Sequence, residues 1–176
     1  MNRFILPFAV FLALAGVLYI GVKHSPDKSI MVSALLGKPA PEFDLPVLGE
    51  SRRVSSREFA GKPWVLNVWG TWCAGCRDEH ESLLAIARLN QVRLVGLSWK
   101  DEDAAAQQWL AQLGNPYSVV AVDREGRTAI DFGVYGAPET FLIDEQGLVQ
   151  YRHVGAITVQ DWEREFVPRL KHGGLP

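Results

Sequence analysis

Hydrophobic positions divide the chain into a uniformly apolar leader and a longer stretch in which short apolar runs alternate with amphipathic ones. Phe4 to Val22 runs for nineteen residues without a charge, broken only by Pro7, Gly16 and Gly21. As a helix rising 1.5 Å per residue, such a run comes close to the thickness of a bilayer core. Val22-Lys23-His24-Ser25-Pro26 follows directly, with no small-x-small cleavage signal. The leader therefore predicts an uncleaved signal anchor over residues 1–24, a tether over 25–37, and a folded domain over 38–176.

Within the domain, the prolines of Lys38-Pro39-Ala40-Pro41 forbid a helix and lead into an extended segment, Glu42 to Leu48. Ser55 with Glu58 three residues on is a capping box for a short helix ending by Gly61. Trp64 to Trp69 is a β-rich apolar run between a Gly-Lys-Pro turn and Gly70, which predicts a buried strand. A helix over Ala74 to Asn90 has Leu83, Leu84, Ile86 and Ala87 on its apolar side. Val92 to Ser98 predicts the next strand. Asp101 to Leu113 predicts a helix that stops at Gly114, and Tyr117 to Val122 a short strand. Arg127 to Phe132 reads as one or two helical turns. Thr140 to Asp144 and Leu148 to Val154 predict a hairpin around Glu145-Gln146-Gly147. Thr158 caps a final helix to about Leu170. Strands alternating with helices of these lengths make a layered α/β sandwich.

Composition narrows the function classes. With 48% hydrophobic and 22% charged residues, the chain is globular rather than disordered. Its 176 residues suit one domain with an appendage. The net charge is −2, and from Lys38 onward 15 basic and 19 acidic residues give −4. No nucleic-acid partner is expected, because a phosphate-binding face needs an excess of cations. Cys73 and Cys76 are the only two cysteines. Two thiols cannot build a multi-bridge scaffold or complete a four-thiolate zinc site.

The chemistry lies in Trp72-Cys73-Ala74-Gly75-Cys76, which follows the strand and opens the helix. A helix N-terminus presents unpaired N–H groups and the positive end of the macrodipole, both of which stabilise a thiolate. Cys73 is therefore read as the attacking thiolate and Cys76, one turn inward, as the thiol that resolves the mixed disulfide. An inert bridge is the bland alternative, but so small a loop removes little chain entropy. Cys73, Cys76 and His80 share one helix face, yet lack a nearby fourth ligand; neither metal nor other cofactor is expected.

Two longer runs carry a resemblance. Asn67-Val68-Trp69-Gly70-Thr71-Trp72-Cys73-Ala74-Gly75-Cys76-Arg77-Asp78-Glu79-His80 and Gly133-Val134-Tyr135-Gly136-Ala137-Pro138-Glu139-Thr140-Phe141-Leu142-Ile143-Asp144 resemble the DsbE/CcmG family of thiol:disulfide interchange proteins. The likeness extends to the leader, the Lys38–Leu48 segment and Tyr151-Arg152-His153-Val154-Gly155. It implies a thioredoxin-like fold: a central mixed β-sheet flanked by helices, behind an N-terminal transmembrane helix. It also implies a periplasmic domain on the bacterial inner membrane, acting as a reductant in cytochrome c maturation. The implied partners are a DsbD- or CcdA-type membrane electron donor and apocytochrome c or a CcmH-like maturation protein. The centre Ala74-Gly75 lacks the proline common in the wider superfamily.

Through the same likeness, Pro138 matches the cis-proline that faces the cysteine pair. Glu79 and Glu139 match acidic positions near it, and Trp72 flanks it at the surface. Asn67 replaces the buried aspartate that many thioredoxins carry six residues before the first cysteine. With a neutral amide there, the proton relay for Cys76 is assigned to Glu139, with Glu79 or bulk water as the alternative. Arg77 and His80 share the Cys73 face and are expected to be exposed. Trp64, Trp69, Trp99, Trp109 and Trp162 are expected to pack. Other activities fit less well: a peroxiredoxin wants a threonine where Gly70 stands, and a Sco-type copper protein wants three residues between its cysteines. A general TlpA-like disulfide reductase, or a copper-delivery thiol protein, remains the runner-up.

Overall fold

The computed structural model describes residues 5–23 and 35–171. The chain divides into two compact units, residues 1–31 and 32–176. The first contains α1 (Ile5–Lys23), an apolar helix with Phe8, Phe11, Leu14 and Leu18 exposed. Nineteen residues make a helix of about 28 Å, a little under a hydrocarbon core of about 30 Å. Among the described residues no helix is long and apolar enough to cross a membrane, so the expected transmembrane helix is not shown. Residues 1–4 and 24 of that expected anchor, and 25–34 of the expected tether, lie outside the described residues.

In the second unit the extended lead-in forms β1 (Asp44–Pro46), which pairs antiparallel with β2 (Arg53–Ser55). The strand β2 had no signal of its own, since three residues are too few to show alternation. A 3-10 helix (Ser56–Phe59) follows, closed by the Ser55/Glu58 capping box that the sequence predicts. Then come β3 (Trp64–Trp69), α2 (Ala74–Leu89), β4 (Arg93–Trp99), α3 (Asp103–Leu113), β5 (Val119–Asp123) and α4 (Arg127–Asp131). β6 (Glu139–Ile143) and β7 (Val149–Val154) form the C-terminal hairpin. The last helix, α5, is α-helical over Val159–Asp161, π-helical over Trp162–Phe166 and α-helical again over Val167–Lys171.

The main sheet has five strands in the order β5-β4-β3-β6-β7. β3, β4 and β5 run parallel, while β6 and β7 are antiparallel to their neighbours, so the sheet is mixed as expected. Every residue of central β3 is buried, which explains why five of its six side chains are apolar. Alternation sends Leu66 and Val68 into a core with Phe43, Phe132 and Phe141. Val65 and Trp69 enter the opposite core with Leu83, Ile86, Trp109 and Trp162. Asn67 shares the parity of Val65 and Trp69, so the one polar side chain of β3 faces α2. Leu83 and Ile86 dock that helix, each contributing roughly 1.5–3 kcal/mol by leaving water. α2 ends where Asn90 takes the left-handed conformation (φ 50°) and its N–H bonds the Ala87 carbonyl. The C-terminal end of β3 is thus aimed, through a four-residue loop, at the start of α2.

Candidate active site

That loop carries the cysteines. Asp101, just beyond β4, accepts from the Thr71 N–H at 2.5 Å and from the Thr71 hydroxyl at 2.8 Å. Trp72 is half-covered: its indole Nε1 donates to the Trp99 carbonyl at 3.2 Å, and the residue stays 54% exposed. Cys73 caps α2, its Sγ accepting from the Cys76 N–H at 3.1 Å. The two sulfurs are joined in a disulfide, with Cα atoms 5.3 Å apart, and both residues are buried. When the bond is reduced, the same N–H and the helix dipole favour a thiolate on Cys73 over one on Cys76.

Pro138 lies against this turn. The Ala137–Pro138 bond is cis, and a Cβ on Gly75 would sit 2.9 Å from Pro138 Cδ. The proline and the Cys-x-x-Cys turn are therefore in van der Waals contact, with no room for a side chain between them.

Glu79 follows Cys76 by three residues, on the same face of α2. It is 1% exposed. Its Oε1 accepts from Asn67 Nδ2 at 2.9 Å, and its Oε2 from the Ile157 N–H at 2.8 Å. The second Asn67 N–H goes to Thr140 Oγ1 at 3.0 Å, and Asn67 Oδ1 accepts from the Tyr117 hydroxyl at 2.7 Å. Burial drives the Glu79 carboxyl up to about 7, against the partial pull of its Ile157 and Asn67 donors. Burial, with the Glu79 charge nearby, holds the Tyr117 phenol well above 10. Asn67 is thus not a gap behind the cysteines: it carries the acid on a neighbouring element, where many thioredoxins place one on the strand itself.

Glu139 is buried as well, but in different company. Arg152 reaches its Oε2 at 2.7 Å, and the Tyr135 N–H donates to its Oε1 at 3.3 Å. Burial raises its carboxyl and Arg152 pulls it back. His80 departs from expectation: it is 5% exposed, with Nε2 on the Gly114 carbonyl at 3.0 Å and Nδ1 accepting from Trp109 Nε1 at 3.4 Å. Both ring nitrogens are engaged away from the sulfurs. Arg77 lies over the Trp109 ring at 4.3 Å.

Comparison with known proteins gives this geometry a family. The Redoxin family matches residues 35–165. A thiol:disulfide interchange protein DsbE from Allochromatium vinosum is 41% identical over 178 residues, covering 99% of this chain and 97% of that protein. DsbE of Xylella fastidiosa strain Temecula1 is 48% identical over 160 residues, 90% of this chain and 81% of its own length. The chain belongs to the DsbE family. A solved structure, a putative DsbE from Chlorobium tepidum, superposes with a TM-score of 0.65 at 30% identity, covering 77% of this chain and 97% of that one. A secreted thiol-disulfide isomerase from Corynebacterium glutamicum, with TM-score 0.71 over 85% and 96% of the two chains, shows the same fold at 24% identity. As a DsbE family member, the chain is a thiol:disulfide oxidoreductase with a thioredoxin-like fold.

Of the residues singled out from the sequence, the fold gathers Cys73, Cys76, Glu79 and Asn67 around the start of α2. Pro138 closes over Gly75, and Trp72 borders the turn. Sequence reasoning missed Tyr117, Thr140, Asp101 and Arg152. Thr140 and Arg152 lay within the segments that resemble the family, while nothing along the chain marked Tyr117 or Asp101.

Proposed function

We propose that this DsbE family member is a membrane-anchored periplasmic reductant that keeps the Cys-x-x-Cys-His thiols of apocytochrome c, or those of a CcmH-like partner, free for haem attachment. The observation that carries the reading is the Cys73–Cys76 pair at the N-terminus of α2, packed under Pro138, in a chain 41% and 48% identical to the DsbE proteins of Allochromatium vinosum and Xylella fastidiosa. The Cys73 thiolate attacks one sulfur of the partner's disulfide and expels the other as a thiolate. Cys76 then loses its proton and attacks Cys73 Sγ, releasing the partner's second thiolate and closing the Cys73–Cys76 disulfide. Two electrons pass to the partner. A DsbD- or CcdA-type membrane donor returns them. Glu79 takes the Cys76 proton, because its carboxyl titrates near neutral pH and lies one turn along the same helix face. Glu139, whose charge is held by Arg152, takes no part in the transfer.

The charge-free run Phe4–Val22 supports the anchor, with α1 exposing Phe8, Phe11 and Leu18. Extraction of membranes with alkaline carbonate tests it: release of the protein overturns the anchor. Deleting the gene should abolish c-type cytochromes, and an added thiol should restore them. Normal cytochromes in the deletion strain overturn the maturation role and leave a general TlpA-like reductase. Within the pair, Cys76→Ser should trap a mixed disulfide through Cys73 and Cys73→Ser should trap little; equal trapping overturns the assigned roles.

A further inference from the structure

The exchange chemistry leaves Arg152 without a part, although its side chain is only 8% exposed in the interior of β7. Register places Phe141 opposite it, and Glu139 lies diagonally across on the same face of the hairpin. Arg152 Nε and Nη2 both reach Glu139 Oε2 at 2.7 Å, and Nη2 also donates to the Gly133 carbonyl at 3.1 Å. The guanidinium lies 5.2 Å from the Tyr135 ring and 5.5 Å from that of Phe141. Glu139 Oε1 in turn accepts from the Tyr135 N–H, and the Gly136 N–H adds a second bond. One ion pair thus holds a carbonyl at the start of the loop 133–138 and two amides in its middle. The far end of that loop is Pro138, pressed against Gly75 between the cysteines.

Two features set this apart from ordinary core packing. A buried ion pair seldom stabilises more than apolar residues of the same volume, so stability alone does not call for one here. The pair also props up an exposed ring. Among the described residues of the second unit, Trp72 and Tyr135 are the aromatic side chains left open, at 54% and 55%; Trp72 directly precedes Cys73, and Tyr135 lies in the loop that ends at Pro138 against Gly75. Exposed aromatic rings beside a reactive group are what a peptide partner packs against.

We propose that Arg152 is a positioning residue which, with Glu139, clamps the 133–138 loop and its Tyr135 ring as the platform on which an extended peptide disulfide is laid beside Cys73. It governs how well peptides bind and leaves the sulfur chemistry alone. The inference rests on the exchange activity of the pair, not on the identity of the partner.

Arg152→Lys keeps the charge beside Glu139, but one ammonium cannot span Glu139 and Gly133 while lying flat on Tyr135. A double variant, Arg152→Met with Glu139→Gln, removes both charges and guards against a misfolded single. Each is measured for exchange with dithiothreitol and with a synthetic disulfide-closed Cys-x-x-Cys-His peptide. Amide hydrogen exchange is followed at Tyr135 and Gly136. In both variants the dithiothreitol rate and its pH profile should stay within about twofold of the parent, while KM for the peptide rises about tenfold at unchanged kcat. Amide protection at Tyr135 and Gly136 should fall by about tenfold or more. Unchanged protection overturns the clamp, whatever the peptide does. Lost protection with an unchanged peptide KM overturns the platform, and a dithiothreitol rate that falls in step with the peptide rate shows that the pair serves the cysteines instead. A parent protein inert to dithiothreitol would instead refute the exchange activity, with the amide measurement still deciding the clamp.

Discussion

Glu79 and Glu139 are both shut away from water within reach of the cysteine turn, and the protein treats them in opposite ways. Glu79 has neutral partners only: an asparagine amide and a backbone N–H. Glu139 has a guanidinium. Neutral donors recover part of the cost of burying a charge, so the Glu79 proton comes and goes near pH 7. A cation recovers far more and also fixes direction, so Glu139 serves as an anchor point for the chain around it. Burial alone does not make a carboxyl useful for proton transfer; what matters is whether a counter-charge is buried with it.

The largest expected effect strips Glu139 of its cation. Arg152→Met leaves a buried carboxylate alone and should cost about 3–5 kcal/mol of unfolding free energy at pH 7, read from urea denaturation. Adding Glu139→Gln should recover most of it. A loss below about 1 kcal/mol would put this pair with solvent-exposed ion pairs such as Arg57–Glu42 and erase the contrast.

Glu79→Gln tests the other side. Because burial raises this carboxyl from 4.5 to about 7, the folded chain binds its proton more tightly than the unfolded chain does. The resulting stability is complete below pH 4.5 and is lost as pH rises through about 7. Over that window the parent should lose about 3 kcal/mol that the glutamine variant does not. Stopped-flow kinetics should also show resolution of the mixed disulfide slowed by about 10² or more near pH 7. If Glu139→Gln slows resolution as much, the division of labour between the two acids fails.

The smallest effect comes from Tyr117→Phe. Without the hydroxyl, Asn67 Oδ1 loses its donor, at a cost of about 1 kcal/mol. The amide is then free to turn its oxygen toward a protonated Glu79, so the pH profile of resolution should move to higher pH. A profile that stays in place would mean that the amide is fixed by Thr140 alone.

What was legible in the sequence was local. The largely apolar run of β3, the capping box at Ser55 and Glu58, and the turn at Glu145-Gln146-Gly147 each declare themselves within a few residues, and each stands where expected. The cysteine turn at the mouth of α2 was legible for the same reason. Glu79 sat in plain view at the spacing that shares a face with Cys76, yet its burial depends on Ile157, 78 residues away. Tyr117 and Asn67 are 50 residues apart, and no period along the chain connects them. His80 was misjudged because a titratable side chain on a helix is usually solvated, whereas Trp109 and Gly114 of another element cover this one. The cis state of Pro138 was suggested only by the family likeness; nothing in the neighbouring residues marks it, since most X–Pro bonds are trans.

The contact between Gly75 and Pro138 also bears on how such a protein is re-tuned. Ala74 is exposed and can be exchanged for almost any residue at little structural cost. Any side chain at position 75 meets a rigid ring at 2.9 Å. The two spacer positions are therefore unequal under mutation: one is an open dial for the electronics of the cysteines, while turning the other also moves the loop against which a partner is laid. A library randomised at both positions would confound redox poise with recognition, whereas one confined to position 74 would vary the first and hold the second still.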